Sequence, residues 1–269
     1  MTTSPPTTSR GVRRFAWVGA LVAGVAAYSV VLSVMVSTQN LNFFPSLLLV
    51  GAVTVPLSVL VFALTGGRTN PPGGWVVAVT AVSGGVIGTV TAGVLEFRAV
   101  ERLGAGSILL VGFIEEAAKL IVPLVVLLLT RPRDPRGGVV IGIASGMGFA
   151  VLETMGYGFQ ELLRARSVDA VEDTLLLRAL LSPAGHVAWT GLTVAVLWRV
   201  ASATRKGRAL GAFAGAYLLA VLLHTLWDVS SSLVVHVVVV VVSVTLLLVL
   251  VHRVHTLHQR RDRTALPPA

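Results

Sequence analysis

The sequence predicts an all-α, polytopic integral membrane protein of about eight transmembrane helices, and three observations carry that prediction. The chain has 269 residues, of which 55% are hydrophobic and only 12% charged, a balance that a water-soluble domain does not sustain without aggregating. Apolar stretches of roughly 20 residues, the length needed to span about 30 Å of hydrocarbon, recur along nearly the whole chain. Lys and Arg gather on alternate connections between those stretches, the asymmetry that orients membrane proteins.

Residues 1–14 are rich in Ser, Thr and Pro and end in Arg13 and Arg14, which reads as a disordered cytoplasmic tail. The apolar run that follows is long for a signal-peptide core and lacks a small-residue cleavage site, so it reads as a retained first helix. Spans are expected at 15–36, 43–64, 75–95, 107–129, 138–159, 180–198, 209–229 and 233–251. Together they form a single membrane domain over 15–251, followed by a basic cytoplasmic tail over 252–269. Eight spans put both termini on one side. Fifteen of the 21 Lys and Arg residues then fall on that side and five on the other, with Lys119 inside a span. The expectation is a multi-pass protein of the cell membrane with both termini cytoplasmic. The longest connection, 160–179, is then extracytoplasmic, and its mixed charges suggest a surface helix leading into the sixth span. Gly84 with Gly88, Gly142 with Gly146 and Gly211 with Gly215 have the four-residue spacing that lets membrane helices approach closely.

Composition also excludes several functions. There is no cysteine, so disulfides, thiolate metal sites and cysteine nucleophiles are ruled out. The net charge of +9 is placed for membrane orientation and points to the lipid bilayer as partner, with no nucleic acid. His252, His255 and His258 lie among arginines at the expected membrane exit and read as contacts with anionic lipid. His236 reads as a packed or interfacial histidine.

A charge at the centre of a spanning helix costs roughly 2.5 to 3.5 kcal/mol on insertion scales, so each needs a partner or a purpose. The fourth span carries Glu115, Glu116 and Lys119, the fifth ends at Phe149-Ala-Val-Leu-Glu153, the sixth holds His186, and the seventh ends in His224-Thr-Leu-Trp-Asp228. At 1.5 Å per residue, Glu115 and Glu116 lie roughly 12 to 14 Å below the outer end of their span, and Glu153 and His186 roughly 9 Å below theirs. Four helices thus bring carboxylates and imidazoles into one outer layer, as a shared polar site requires. Glu115 and Glu116 point about 100° apart, so one is expected to face the site while Lys119, at i+4 and i+3, holds the other. His224 and Asp228, at i and i+4, share a face.

In this order the motifs resemble those of the PrsW-type intramembrane proteases, within the wider clan of CAAX-processing membrane peptidases. The matching residues are Glu115-Glu116-Ala-Ala-Lys119, Phe149 to Glu153, His186, and His224 to Asp228. The resemblance covers about 107–228, and the remaining helices match only in being apolar. It implies cleavage of a membrane-anchored protein substrate, such as site-1 cleavage of an anti-sigma factor or similar regulator. Glu153 stands where CAAX-type members carry histidine, which points to the PrsW branch and leaves the identity of the base open.

Amide hydrolysis needs a base for water, an oxyanion stabiliser and an acid for the leaving amine. The residues expected to supply these are Glu115 or Glu116 with Glu153 or His186 for activating water, and His224 with Asp228 for the oxyanion or leaving group. Glu153, His186 and His224 are equally suited to a divalent metal such as zinc, so metal-bound and metal-free water both stay open. A His-Glu-x-x-His zinc motif is absent, and only one membrane aspartate is present where an aspartyl protease needs two. Ser145 lies near the inner end of its helix, away from the histidines, and is expected to serve packing alone. The alternative from another class is a proton-coupled transporter or channel using the same Glu and His cluster. The inner half of the spans is almost wholly apolar, which favours a site open to one side.

Overall fold

The computed structural model describes residues 15–65, 72–130 and 137–264, with side chains of the last helix as far as Arg253. The tail expected over 1–14, Arg68, the arginines at 131, 133 and 136, and the side chains of His255 and His258 lie outside the described residues. Among the described residues there are nine α-helices and no strand. They are α1 (Ala16–Thr38), α2 (Phe44–Thr65), α3 (Gly74–Leu103), α4 (Ile108–Thr130), α5 (Gly137–Ala165), α6 (Val168–Leu181), α7 (His186–Ser202), α8 (Lys206–Val229) and α9 (Leu233–Thr264).

Among the described residues six stretches are long and apolar enough to cross a membrane: Ala16–Thr38, Leu41–Thr65, Gly137–Ala165, Val168–Ser202, Lys206–Val229 and Leu233–Arg253. The sequence suggested about eight. Helices α3 and α4 cover the other two apolar stretches, but α4 carries Glu115, Glu116 and Lys119 within little more than one turn.

Helix α5 is the centre of the bundle. Within its apolar window 83% of residues are buried, against 6% for α1, and from Gly138 to Val151 every residue is inside, as befits a helix apolar all round. It packs between α3 and α7, with α2 alongside. Glycines set these approaches. A Cβ added to Gly85 would stand 2.7 Å from the Gly148 carbonyl oxygen, one on Gly142 2.6 Å from the Thr190 carbonyl oxygen, and one on Gly146 would collide with the His186 carbonyl. The Gly84/Gly88 and Gly142/Gly146 pairs therefore seat helix contacts, whereas Gly211 and Gly215 meet nothing within 4 Å.

Two local features position the site. Helix α6 begins at Ser167, whose hydroxyl accepts from the Ala170 N–H at 3.4 Å, and buries Val171, Leu175 and Ala179 on one stripe against α2 and α5. The sixth expected span differs from the sequence reading. Pro183 lies in a 3₁₀ turn, Ser182–Ala184, and Gly185 breaks the helical path at φ −113°, ψ −119°. His186 is consequently the first residue of α7, within the apolar stretch Val168–Ser202.

Candidate active site

Lys119 of α4 is fully buried, and an ammonium is tolerated there only with partners. Its Nζ donates to Glu116 Oε1 at 2.6 Å and to His186 Nδ1 at 2.8 Å, and stands 3.5 Å from Glu115 Oε2. It also lies 4.6 Å from the centre of the Phe149 ring, a cation–π contact from α5.

The two adjacent glutamates divide their work as the helix geometry dictates. Glu116 Oε1 accepts from Lys119 and from the His224 ring at Nδ1, 2.9 Å away. Glu115 Oε2 faces both imidazoles, 3.5 Å from His224 Nε2 and 3.7 Å from His186 Nδ1. These separations exceed hydrogen-bond length, and the oxygen is buried with no hydrogen-bond partner.

The partners assign the tautomers. An ammonium has no lone pair, so His186 Nδ1 accepts from Lys119 and its proton sits on Nε2, which is 2.8 Å from Glu153 Oε2. A carboxylate has no proton, so His224 Nδ1–H donates to Glu116 and the lone pair is on Nε2. The His224 lone pair is thereby on the nitrogen nearest Glu115 Oε2, whereas that of His186 Nδ1 is taken up by the Lys119 N–H.

This donor set fits a divalent metal once the Lys119 N–H gives up His186 Nδ1. One ligand atom from each of Glu115, His186 and His224 lies within 4.8 Å of the others. Ligands about a tetrahedral zinc ion are roughly 3.4 Å apart, close to the 3.5 and 3.7 Å seen here. Each histidine points its other nitrogen at a carboxylate, Glu153 or Glu116, the usual support behind a metal-bound imidazole. The set takes Glu115 where the sequence suggested Glu153. Glu153 instead turns to His186 Nε2 and to Arg178 Nη2, each 2.8 Å from its Oε2, as an ion pair. Asp228 Oδ2 lies 3.4 Å from His224 Nε2. Contacts of 3.7 Å or less thus join all seven residues, Lys119 included.

Four members of the cluster, Glu153, His186, His224 and Asp228, line a cavity of about 220 Å³ between α5, α6, α7 and α8, together with Tyr157 and Arg178 among others. Its aromatic side is the Trp189 ring, 4.8 Å from that of His224 and 5.7 Å from that of His186. The indole N–H donates to Ser243 Oγ on α9 at 2.9 Å. Such walls exclude water and strengthen electrostatics inside.

Several members went unseen in the sequence. Arg178 reads there as one charge among many in a connection, yet its guanidinium lies 3.9 Å over the Tyr157 ring and pairs with Glu153. The only sequence signal was Tyr157, at i+4 from Glu153 and hence on its face. Glu96 falls one residue past the expected third span. Its Oε1 is buried without a hydrogen-bond partner, within electrostatic reach of Glu153, His224, Asp228 and Lys119. Ser145 does more than pack: it is fully buried and its hydroxyl donates to the Lys119 carbonyl oxygen at 2.9 Å. His236, read from the sequence as packed or interfacial, lies 3.0 Å through Nε2 from the Trp227 carbonyl oxygen, with the two rings 4.6 Å apart.

The sequence pattern of the family described as PrsW family intramembrane metalloprotease matches residues 72–252 of this chain. No curated protein and no solved structure matches it. The matched stretch takes in all four helices that carry the cluster, from α4 to α8.

Proposed function

Since the chain belongs to the PrsW family of intramembrane metalloproteases, we propose that it hydrolyses a peptide bond of a membrane-anchored protein near the extracytoplasmic end of the substrate's helix. The observation that carries this reading is the convergence of Glu115 Oε2 with His186 Nδ1 and His224 Nε2, beside a cavity that both imidazoles line. The protein is a multi-pass membrane protein. An eight-span arrangement with cytoplasmic termini, disordered and basic tails over 1–14 and 252–269, and one membrane domain between them is part of the proposal. The distribution of Lys and Arg supports it.

Glu115, His186 and His224 would hold a divalent metal such as zinc, which when bound supplies polarisation of the scissile carbonyl and a more acidic water. The chain's own groups do the rest. Glu116 fixes the ring of His224 through Nδ1, and Glu153, backed by Arg178, fixes the ring of His186 through Nε2. Lys119 balances both glutamates of α4. Asp228 stands 3.4 Å from His224 Nε2 with a quarter of its side chain exposed, within reach of both the donor set and solvent. We assign it the transfer of a proton from water to the leaving amine. Trp189 and Phe149 keep the cluster dry.

The substrate class we favour is a single-span regulator such as an anti-sigma factor, and the kinship with CAAX-processing peptidases belongs to the same reading. A proton-coupled transporter is not favoured, because the buried ionisable groups form one cluster around one cavity rather than a path from face to face. The test is cleavage of single-span polypeptides by the full chain in liposomes, with product termini mapped by mass spectrometry. Wild type should cut near the outer end of the span, and Glu115→Gln should lower the rate by about 100-fold or more. Equal cleavage by both proteins, or cuts at the cytoplasmic end, would refute the reading.

A further inference from the structure

Helix α4 contains Pro123, which has no N–H to give the carbonyl four residues before it. That carbonyl belongs to Lys119, the residue at the hub of the charge cluster. A carbonyl left unanswered in a dry bundle is destabilising, and Ser or Thr side chains of neighbouring helices are one means of answering it. Here the answer is Ser145 of α5, whose hydroxyl donates to Lys119 O at 2.9 Å in a fully buried bond. Gly84 of α3 leaves room for it, since a Cβ at that position would stand 2.6 Å from Ser145 Oγ. Phe149 and Glu153 follow Ser145 at i+4 and i+8 on the same helix face. Helix α5 therefore grips Lys119 twice, at the carbonyl through Ser145 and at the ammonium through the Phe149 ring.

We propose that Ser145 is a positioning residue: by answering the carbonyl that Pro123 frees, it sets where the Lys119 ammonium stands between Glu115, Glu116 and His186. The effect on rate rests on the proteolytic reading above, whereas the pairing of Ser145 with Pro123 does not. Displacements well below 1 Å at such a hub are enough to slow a preorganised site.

The experiment is a double-mutant cycle on the full chain in detergent micelles, using wild type, Ser145→Ala, Pro123→Ala and the double variant. Pro123→Ala restores an N–H that reaches Lys119 O along α4. Two quantities are read: the thermal unfolding midpoint, and kcat and KM on a single-span polypeptide with a fluorophore and quencher flanking the outer end of its span. Ser145→Ala should lower the midpoint and reduce kcat about tenfold, with KM within about twofold. In the Pro123→Ala background the same change should cost less than about twofold in kcat and leave the midpoint in place. Ser145→Cys, similar in size but a weak donor, should behave like Ser145→Ala. Equal losses in both backgrounds, a wild-type rate for Ser145→Ala, or full function of Ser145→Cys would overturn the proposal. Coupled midpoints in a protein that cleaves no polypeptide would overturn the proteolytic reading and the positioning role, while leaving the hydrogen-bond pairing standing.

Discussion

Replacing Lys119 with methionine removes the ammonium that pairs with both glutamates of α4 while keeping a chain of similar length. Glu116 is 1% exposed and would retain only the His224 N–H as partner at that oxygen. At an effective dielectric constant of about 20, a unit charge pair at the 2.6 Å of Lys119 to Glu116 attracts by about 6 kcal/mol. At the 3.5 Å of Lys119 to Glu115 the figure is about 5 kcal/mol. Burial of the ammonium offsets most of this gross attraction, and breaking one partner of such a buried pair costs a net 3 to 5 kcal/mol or about that. Lys119→Met should therefore unfold at a markedly lower SDS fraction in mixed-micelle titrations. Lys119→Met combined with Glu116→Gln, which leaves no orphaned charge at that position, should recover about half of the loss or more. A single variant as stable as wild type would refute the account, as would a double variant no better than the single one.

Three further outcomes follow from the same contacts. Glu115→Gln and His224→Gln should each weaken zinc binding by about 100-fold or more in competition with a chromogenic chelator, and Glu116→Gln, which acts through the His224 ring, by about tenfold. Arg178→Ala should lower kcat about tenfold, and Arg178→Lys, which keeps the charge but gives up the stack on Tyr157, should fall between it and wild type. A cysteine introduced at Asp173 should react with an impermeant maleimide on intact cells and one at Thr204 should not, and the reverse pattern would invert the topology.

Long apolar stretches made the helices readable, because in lipid every backbone group must be satisfied within its own segment and the length follows from the thickness to be spanned. The cluster was readable for a related reason: a charge in such a stretch is costly enough that Glu115, Glu116, Lys119, Glu153, His186, His224 and Asp228 stood out against it. Division of labour between neighbours was not readable. Sequence spacing gives the angle between Glu115 and Glu116 but not which of them faces both imidazoles, since that depends on how α4 is rotated against its neighbours. Glu153 was expected among the metal donors because a carboxylate beside two imidazoles suits zinc. The break at Pro183 and Gly185 starts α7 at His186 and swings Nε2 toward Glu153 and Arg178 instead. Arg178 and Ser145 were missed for opposite reasons, one as an ordinary loop charge and the other as an ordinary small residue. What distinguishes each is a partner on another helix.

The charge balance of the site makes one more demand. Among the described residues, Glu115, Glu116, Glu153 and Asp228 are joined by contacts of 3.7 Å or less to two permanent cations, Lys119 and Arg178, once both imidazoles are neutral. With all four carboxylates ionised, two negative charges remain uncompensated in a region where charge is poorly solvated, and Glu96 adds a third nearby. A divalent cation between Glu115, His186 and His224 would balance two of them, so binding should stabilise the folded protein by mass action. At a free zinc concentration about 100 times the dissociation constant the gain is about 2.7 kcal/mol, visible as a higher unfolding midpoint in detergent that a chelator reverses. Glu115→Gln should lose this gain while staying folded, because the amide keeps the shape of the carboxylate without its charge. Wild-type protein whose midpoint ignores zinc, manganese and cobalt at any concentration would show that the excess charge is met by protons instead, and would remove the metal from this site.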